Sequence, residues 1–197
     1  MSVNRRQAVR RLLAIYGDTD TATRQDGREW YRTAAATVSS IGGTLPHDRA
    51  AAIVAVLSPR ERWRRNIFMA RELIEGREVT GLGGSIGKAK AILSGAPIGT
   101  GPGDGLGGPA PKVRAFWANL CGDGEAVTVD VWATRAATGG TTDAPGTPKR
   151  YGELADAYRA AARKVGERPC DFQAIIWLAV RPSTEHRKDT DQIGAMA

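Results

Sequence analysis

GPAPKVRAFWANLCGDGEAVTVDVWATR, residues 108–135, is the stretch on which the fold and function of this chain turn. Lys112 follows a run of glycine and proline. It opens an apolar-periodic segment, Lys112–Leu120, that reads as a helix with Phe116 and Trp117 turned inward. Residues 121–126 read as a turn and Ala126–Val129 as extended chain. Asp130 then opens a helix through Thr138, because an aspartate at this position accepts a hydrogen bond from first-turn N–H groups. Lys112 and Asp130 are the candidate catalytic residues.

Upstream, Gly95–Pro111 holds seven glycines and four prolines in seventeen residues, so no regular element persists there. The spacing predicts a long loop ending in a tight hairpin; a linker between two lobes is the alternative. Residues 85–94 predict a short helix before it. Residues 47–57 are small and apolar, which suits a buried central helix. Ser58-Pro59-Arg60-Glu61 has the order of a capping box with proline in the first turn. The helix it predicts carries Trp63, Ile67, Ala70 and Ile74 on one face. Arg60, Arg62, Arg64 and Arg65 crowd its positive end, at some cost to stability. Two interpretations of these arginines stay open: contact with phosphate, or side chains lying over apolar surface.

Two helices are expected before residue 45, over residues 4–16 and 21–41. Downstream, Tyr151–Val165 is amphipathic through Leu154, Tyr158, Ala161 and Val165. Phe172–Val180 reads as a buried closing helix ended by Pro182. Without any run of alternating strand pattern, the fold class expected is all-α. Residues 1–182 are expected to form one helical domain of two lobes, and 183–197 a polar tail.

Lys and Arg number 28 against 21 Asp and Glu, a formal net charge of +7 over 197 residues. Such a surplus suits an anionic partner, DNA foremost; the plainer account is an arginine-rich protein with a solvated face. Two cysteines make neither a disulfide framework nor a four-cysteine cluster. His47 and His186 lack partners at ligand spacing, so no metal and no cofactor is expected. No long apolar run or leader is evident, which points to a cytoplasmic chain without a membrane partner, expected to be monomeric.

A helix N-terminus carries unpaired N–H groups and the positive end of a dipole. Glycine just before it lets a phosphate approach the backbone. Gly107, Gly108 and Ala110 are therefore candidate phosphate contacts. Arg60, Arg62 and Arg64 are further DNA-contact candidates, and Trp132 a candidate base-stacking side chain. A carboxylate at the next helix mouth suits stabilisation of a sugar cation or activation of water. An amine suits attack on C1′ to form a Schiff base.

Residues 108–135 resemble the helix-hairpin-helix base-excision DNA glycosylases. Those run roughly L-P-G-V-G-x-K-T-A, then an apolar helix, then V-D-T-H-x-x-R. Gly108, Lys112, Val129, Asp130 and Arg135 fall in register without a gap, with Asn119 at a familiar position. A weaker likeness extends over about residues 45–181, through Leu57-Ser58 and Gln173–Trp177. The resemblance implies an all-α, two-lobed fold, a degenerate helix-hairpin-helix, DNA as partner and base removal after flipping. It implies Asp130 as the catalytic carboxylate and Lys112 as a lyase nucleophile. Pro109-Ala110-Pro111 departs from the hairpin pattern, Trp132 stands where the family has His, and the iron–sulfur cysteines of some members are missing. These departures resemble phage-type proteins of the same superfamily that join amino groups to an activated thymine. A DNA-binding module in which Asp130 is only a cap is the non-enzymatic alternative.

Overall fold

Apolar residues recur at every third or fourth position along most of the chain, and the backbone follows them into helices. The computed structural model describes residues 3–99, 104–108, 110–140 and 145–181. Among these the protein is all-helical, without a strand. The helices are α1 (Arg5–Asp18), α2 (Thr21–Gly42), α3 (His47–Leu57), α4 (Trp63–Ile74), α5 (Gly83–Leu93), α6 (Pro111–Leu120), α7 (Val131–Thr138), α8 (Pro148–Val165) and α9 (Pro169–Val180). The polar tail expected from residue 183 lies outside the described residues.

The described residues cluster into two compact units. The first comprises residues 3–32 and 122–181, and the second residues 33–121. In the first unit α1 packs on α7, α8 and α9, and α9 packs on α7 and α8. Leu12, Leu154, Tyr158, Phe172 and Ile175 are fully buried between them. Gly27 of α2 is where α9 comes closest: a Cβ there would stand 2.4 Å from Ile175 Cγ1 and 2.7 Å from its backbone. Only glycine admits that approach.

In the second unit α3 is the core. Ala50 to Leu57 are all buried, and α4, α5 and α6 pack against this one helix. A helix apolar on every side has no solvent face to offer, so its neighbours surround it. His47 ties the start of α3 to the end of α6. Its Nε2 lies 2.9 Å from the Leu120 carbonyl, which only accepts, so Nε2 carries the proton. Its Nδ1 meets Ser39 Oγ at 2.9 Å. Trp117 Nε1 donates to the Asp48 carbonyl at 3.0 Å, a second tie between the same helices.

Two sequence expectations need correction, and one alternative falls away. The Ser58 box does not open α4. Ser58 Oγ donates back to the Ala55 carbonyl at 2.9 Å and so closes α3, while α4 starts at Trp63 behind Arg62, which makes no side-chain cap. A hydroxyl beside a helix end has orphan carbonyls within reach, and here they win. The closing helix begins at Pro169 rather than Phe172, with proline in its first turn, where a missing N–H costs nothing. The Gly/Pro loop does not link the two units, since α5 and α6 on either side of it both belong to the second.

Candidate active site

Asp130 sits at the N-cap of α7, in extended backbone (φ −95°, ψ −168°). The chain reaches it through Val127 and Val129, both buried. A buried irregular run must find partners for its backbone groups without a ladder. Tyr151 of α8 supplies them: its hydroxyl accepts from Val129 N–H at 3.0 Å and donates to the Val127 carbonyl at 2.8 Å. Burial pushes the Tyr151 phenol well above its ordinary range, with the Asp130 charge adding and the Val129 bond opposing, so the hydroxyl keeps its proton. Thr134 Oγ1 bonds the Asp130 carbonyl at 2.7 Å, and Tyr158 Oη bonds that of Ala133 at 3.0 Å.

The Asp130 carboxylate is held by both oxygens. Oδ1 accepts from Ala133 N–H at 2.8 Å, the bond that capping requires. Oδ2 accepts from Trp177 Nε1 of α9 at 2.9 Å, which capping does not require. The side chain remains half-buried, and each oxygen keeps a second lone pair. Trp177 is itself fixed, edge-on to Trp30 at 5.6 Å and under the Arg181 guanidinium at 3.9 Å. Trp132 is half-buried, with the Arg135 guanidinium 5.0 Å over its ring. Asp130 and Trp132 thus share the first unit with Trp30, Trp177, Arg135 and Arg181.

The remaining candidates belong to the second unit. Lys112 is the second residue of α6, half-buried, with Pro111 before it. The loop ahead of α6 consumes its own polar groups. Asp104, buried, accepts from Leu106 N–H at 3.0 Å and Gly107 N–H at 3.1 Å through Oδ1. Its Oδ2 takes Arg114 Nη2 at 2.5 Å. Arg114 also donates to the carbonyls of Gly108, at 2.9 and 3.1 Å, and of Gly99. Ala110 N–H bonds the Gly108 carbonyl at 2.8 Å. Of the three expected phosphate contacts, Gly107 and Ala110 have therefore committed their N–H groups inside the loop. The Gly108 N–H has no such bond among the described residues, and Gly108 takes φ +70°, which favours glycine.

Arg60, Arg62 and Arg64 are all exposed in the turn before α4 and in its first residues. Cys170, the buried thiol, is pushed up to about 12 by burial and by the Asp171 carboxylate beside it, so it supplies no thiolate near neutrality. Among the described residues no three His, Cys, Asp or Glu side chains gather into a group that would hold a metal ion. No described helix is long and apolar enough to cross a membrane.

Trp177 and Arg114 are the residues that sequence reasoning missed. Trp177 was visible only as part of the closing helix; its bond to Asp130 spans 47 residues and exists only in the fold. Arg114 had a weak signal: a lone aspartate inside a glycine-proline loop, ten residues before it, needs a cation if buried.

Fold and site define an all-helical protein that presents an anchored carboxylate at a helix start. The chain belongs to a family of unknown function (DUF7178), which matches over residues 1–184. No curated protein and no solved structure matches it.

Proposed function

We propose that this protein is a DNA glycosylase-like enzyme acting on damaged or modified bases in DNA. The observation that carries the proposal is the second bond on Asp130. A capping aspartate needs one oxygen engaged, whereas this one is aimed by the Trp177 indole as well. Cleavage of an N-glycosidic bond builds positive charge on the sugar, and a carboxylate fixed in advance stabilises that charge without reorganising. Asp130 holds that role, or activates water with its remaining lone pairs. Lys112 is the candidate Schiff-base nucleophile, with Gly108 and Arg60, Arg62 and Arg64 as phosphate contacts and Trp132 as a stacking side chain. The formal charge of +7 and the in-register resemblance of residues 108–135 to helix-hairpin-helix glycosylases support DNA as the substrate.

The test is incubation with a panel of duplexes bearing modified bases, followed by alkaline cleavage and borohydride trapping. The expected outcome is alkali-labile sites on at least one duplex, reduced about a hundredfold or more in Asp130→Asn. A trapped adduct that disappears in Lys112→Ala assigns the lyase step. A changed base on an intact glycosidic bond replaces base removal with base modification on the same site. DNA binding that survives Asp130→Asn, with no product on any duplex, defeats the enzymatic proposal.

A further inference from the structure

We propose that the α3–α4 turn and the outer stripe of α4 bind a single-stranded segment of nucleic acid, with phosphates on Arg60, Arg62, Arg64 and Arg71 and a base stacked on Phe68. This rests on the nucleic-acid half of the proposed function and is independent of the Asp130 chemistry. All of these residues lie in the second unit.

Charge comes first. Ser58–Arg77 contains six arginines and three glutamates. Every glutamate already has a cation: Glu61 meets Arg65 at 3.9 Å, Glu72 meets Arg77 at 2.6 Å, and Glu75 pairs with Arg77 too. Among the described residues Arg60, Arg62, Arg64 and Arg71 make no ion pair, and Arg71 shares with Arg77 only the field of Glu72. Three of them stand at or just before the start of α4, where the helix dipole is also positive. A polyanion relieves that repulsion.

The geometry adds an aromatic platform. Arg64, Phe68 and Arg71 are spaced four and three residues apart, so they share one stripe of α4. Ile67, Met69, Ala70 and Leu73 already bury the inner side of the helix, yet Phe68 is left 42% exposed. An exposed ring between two guanidinium groups that make no ion pair among the described residues is the arrangement that stacks a base while holding the phosphates on either side. A duplex hides its base faces, so the ring selects unpaired strand. Arg71 also lines a groove of about 750 Å³ with Ile67 and Ile74 of α4 and Thr37, Ser40 and Ile41 of α2. That volume is within the range of small-ligand sites and accepts an unstacked base beside the phosphate track.

Backbone strain at Arg60 points the same way. Arg60 takes φ +64°, and every other described residue with positive φ is glycine. A side chain in this region costs backbone energy that glycine avoids. Arginine at the position therefore gives up stability for what its side chain does.

The test is fluorescence anisotropy on the full chain with a labelled twelve-nucleotide DNA strand, the RNA strand of the same sequence, and the DNA duplex, over a range of salt. Tighter binding of either single strand than of the duplex supports the proposal, and the better strand identifies the sugar. Phe68→Ala is expected to weaken single-strand binding about tenfold with the salt slope unchanged, because stacking releases no counterions. Arg64→Gln and Arg71→Gln are each expected to weaken binding and lower the salt slope by about 0.7. Arg60→Gly is expected to weaken binding while leaving Tm unchanged or higher, which separates binding from folding. Asp130→Asn is expected to bind as the parent does, so a failed glycosylase assay leaves this surface standing. Absence of single-strand binding overturns the proposal. So does equal affinity for strand and duplex with Phe68→Ala neutral, and so does a poly-glutamate of matched charge competing as well as the strand.

Discussion

The run that leads into α7 and the run that leads into α6 face the same problem and use opposite chemistry. Both are irregular, partly buried, and short of backbone partners. Ahead of α7 the closure of the run itself is neutral: the Tyr151 hydroxyl bridges Val127 and Val129, and the Asp130 carboxylate serves not the run but the helix end that follows. Ahead of α6 the closure is ionic: Asp104 and Arg114 bind the loop backbone and each other. The difference decides what is left over for chemistry. The ionic closure spends its carboxylate and guanidinium inside the loop, with the Asp104 side chain 5% exposed. The neutral closure leaves Asp130 half-buried and reachable.

Breaking the ionic closure gives the largest expected effect. Arg114→Met removes the partner of a buried carboxylate and is expected to cost about 3 kcal/mol in denaturant unfolding. Arg114→Lys should recover only a minority of that, because one ammonium cannot span Asp104 and the carbonyls of Gly108 and Gly99. A loss below about 1 kcal/mol would mean that the loop is held by something other than this pair. Breaking the neutral closure ranks second. Tyr151→Phe leaves the Val129 N–H unpaired in a buried place, at an expected cost of about 1–3 kcal/mol.

Asp130 itself ranks third and sharpens the contrast. Asp130→Ala is expected to lose about 1 kcal/mol, the ordinary worth of a cap. Asp130→Asn keeps an oxygen for Ala133 N–H but turns the Trp177 contact into one between two donors, or leaves Trp177 unbonded. It should therefore fold nearly as well as the parent while losing the aimed carboxylate. If the Asn and Ala variants are equally destabilised, the cap bond adds nothing beyond the Trp177 bond, and Asp130 is first a structural tie to α9.

The helices were legible wherever apolar periodicity and end signals agreed. Residues 47–57 were read at the bounds the structure has, because an alanine-rich apolar run between a proline and a serine leaves little choice. Starts were misjudged where proline or serine had two uses. Pro148 and Pro169 open α8 and α9, yet periodicity alone begins later, at Tyr151 and Phe172. Ser58 turned back toward α3. At the site, Asp130 was legible because capping chemistry is local. Its Trp177 partner was not, since which ring nitrogen meets which oxygen depends on how α9 packs on α7. The commitment of the Gly107 and Ala110 N–H groups was hidden for the same kind of reason: it depends on where Asp104 and the Gly108 carbonyl end up.

Lys112→Ala gives the smallest expected effect and tests the comparison from the other side. Lys112 is a cation in the first turn of α6, where the helix dipole is already positive, so its charge does not support the helix start. The loop before it is closed by Asp104 and Arg114. As a half-buried side chain outside that Asp104–Arg114 closure, Lys112 is expected on truncation to alanine to change stability by about 0.5 kcal/mol, the ordinary range for a substitution near the surface, measured by thermal unfolding beside Asp130→Ala. A near-silent substitution with a lost borohydride adduct makes Lys112 a residue kept for chemistry. A loss comparable to that of Asp130→Ala makes the two helix starts alike, each dependent on its own side chain, and the division between a spent loop and an available one no longer holds.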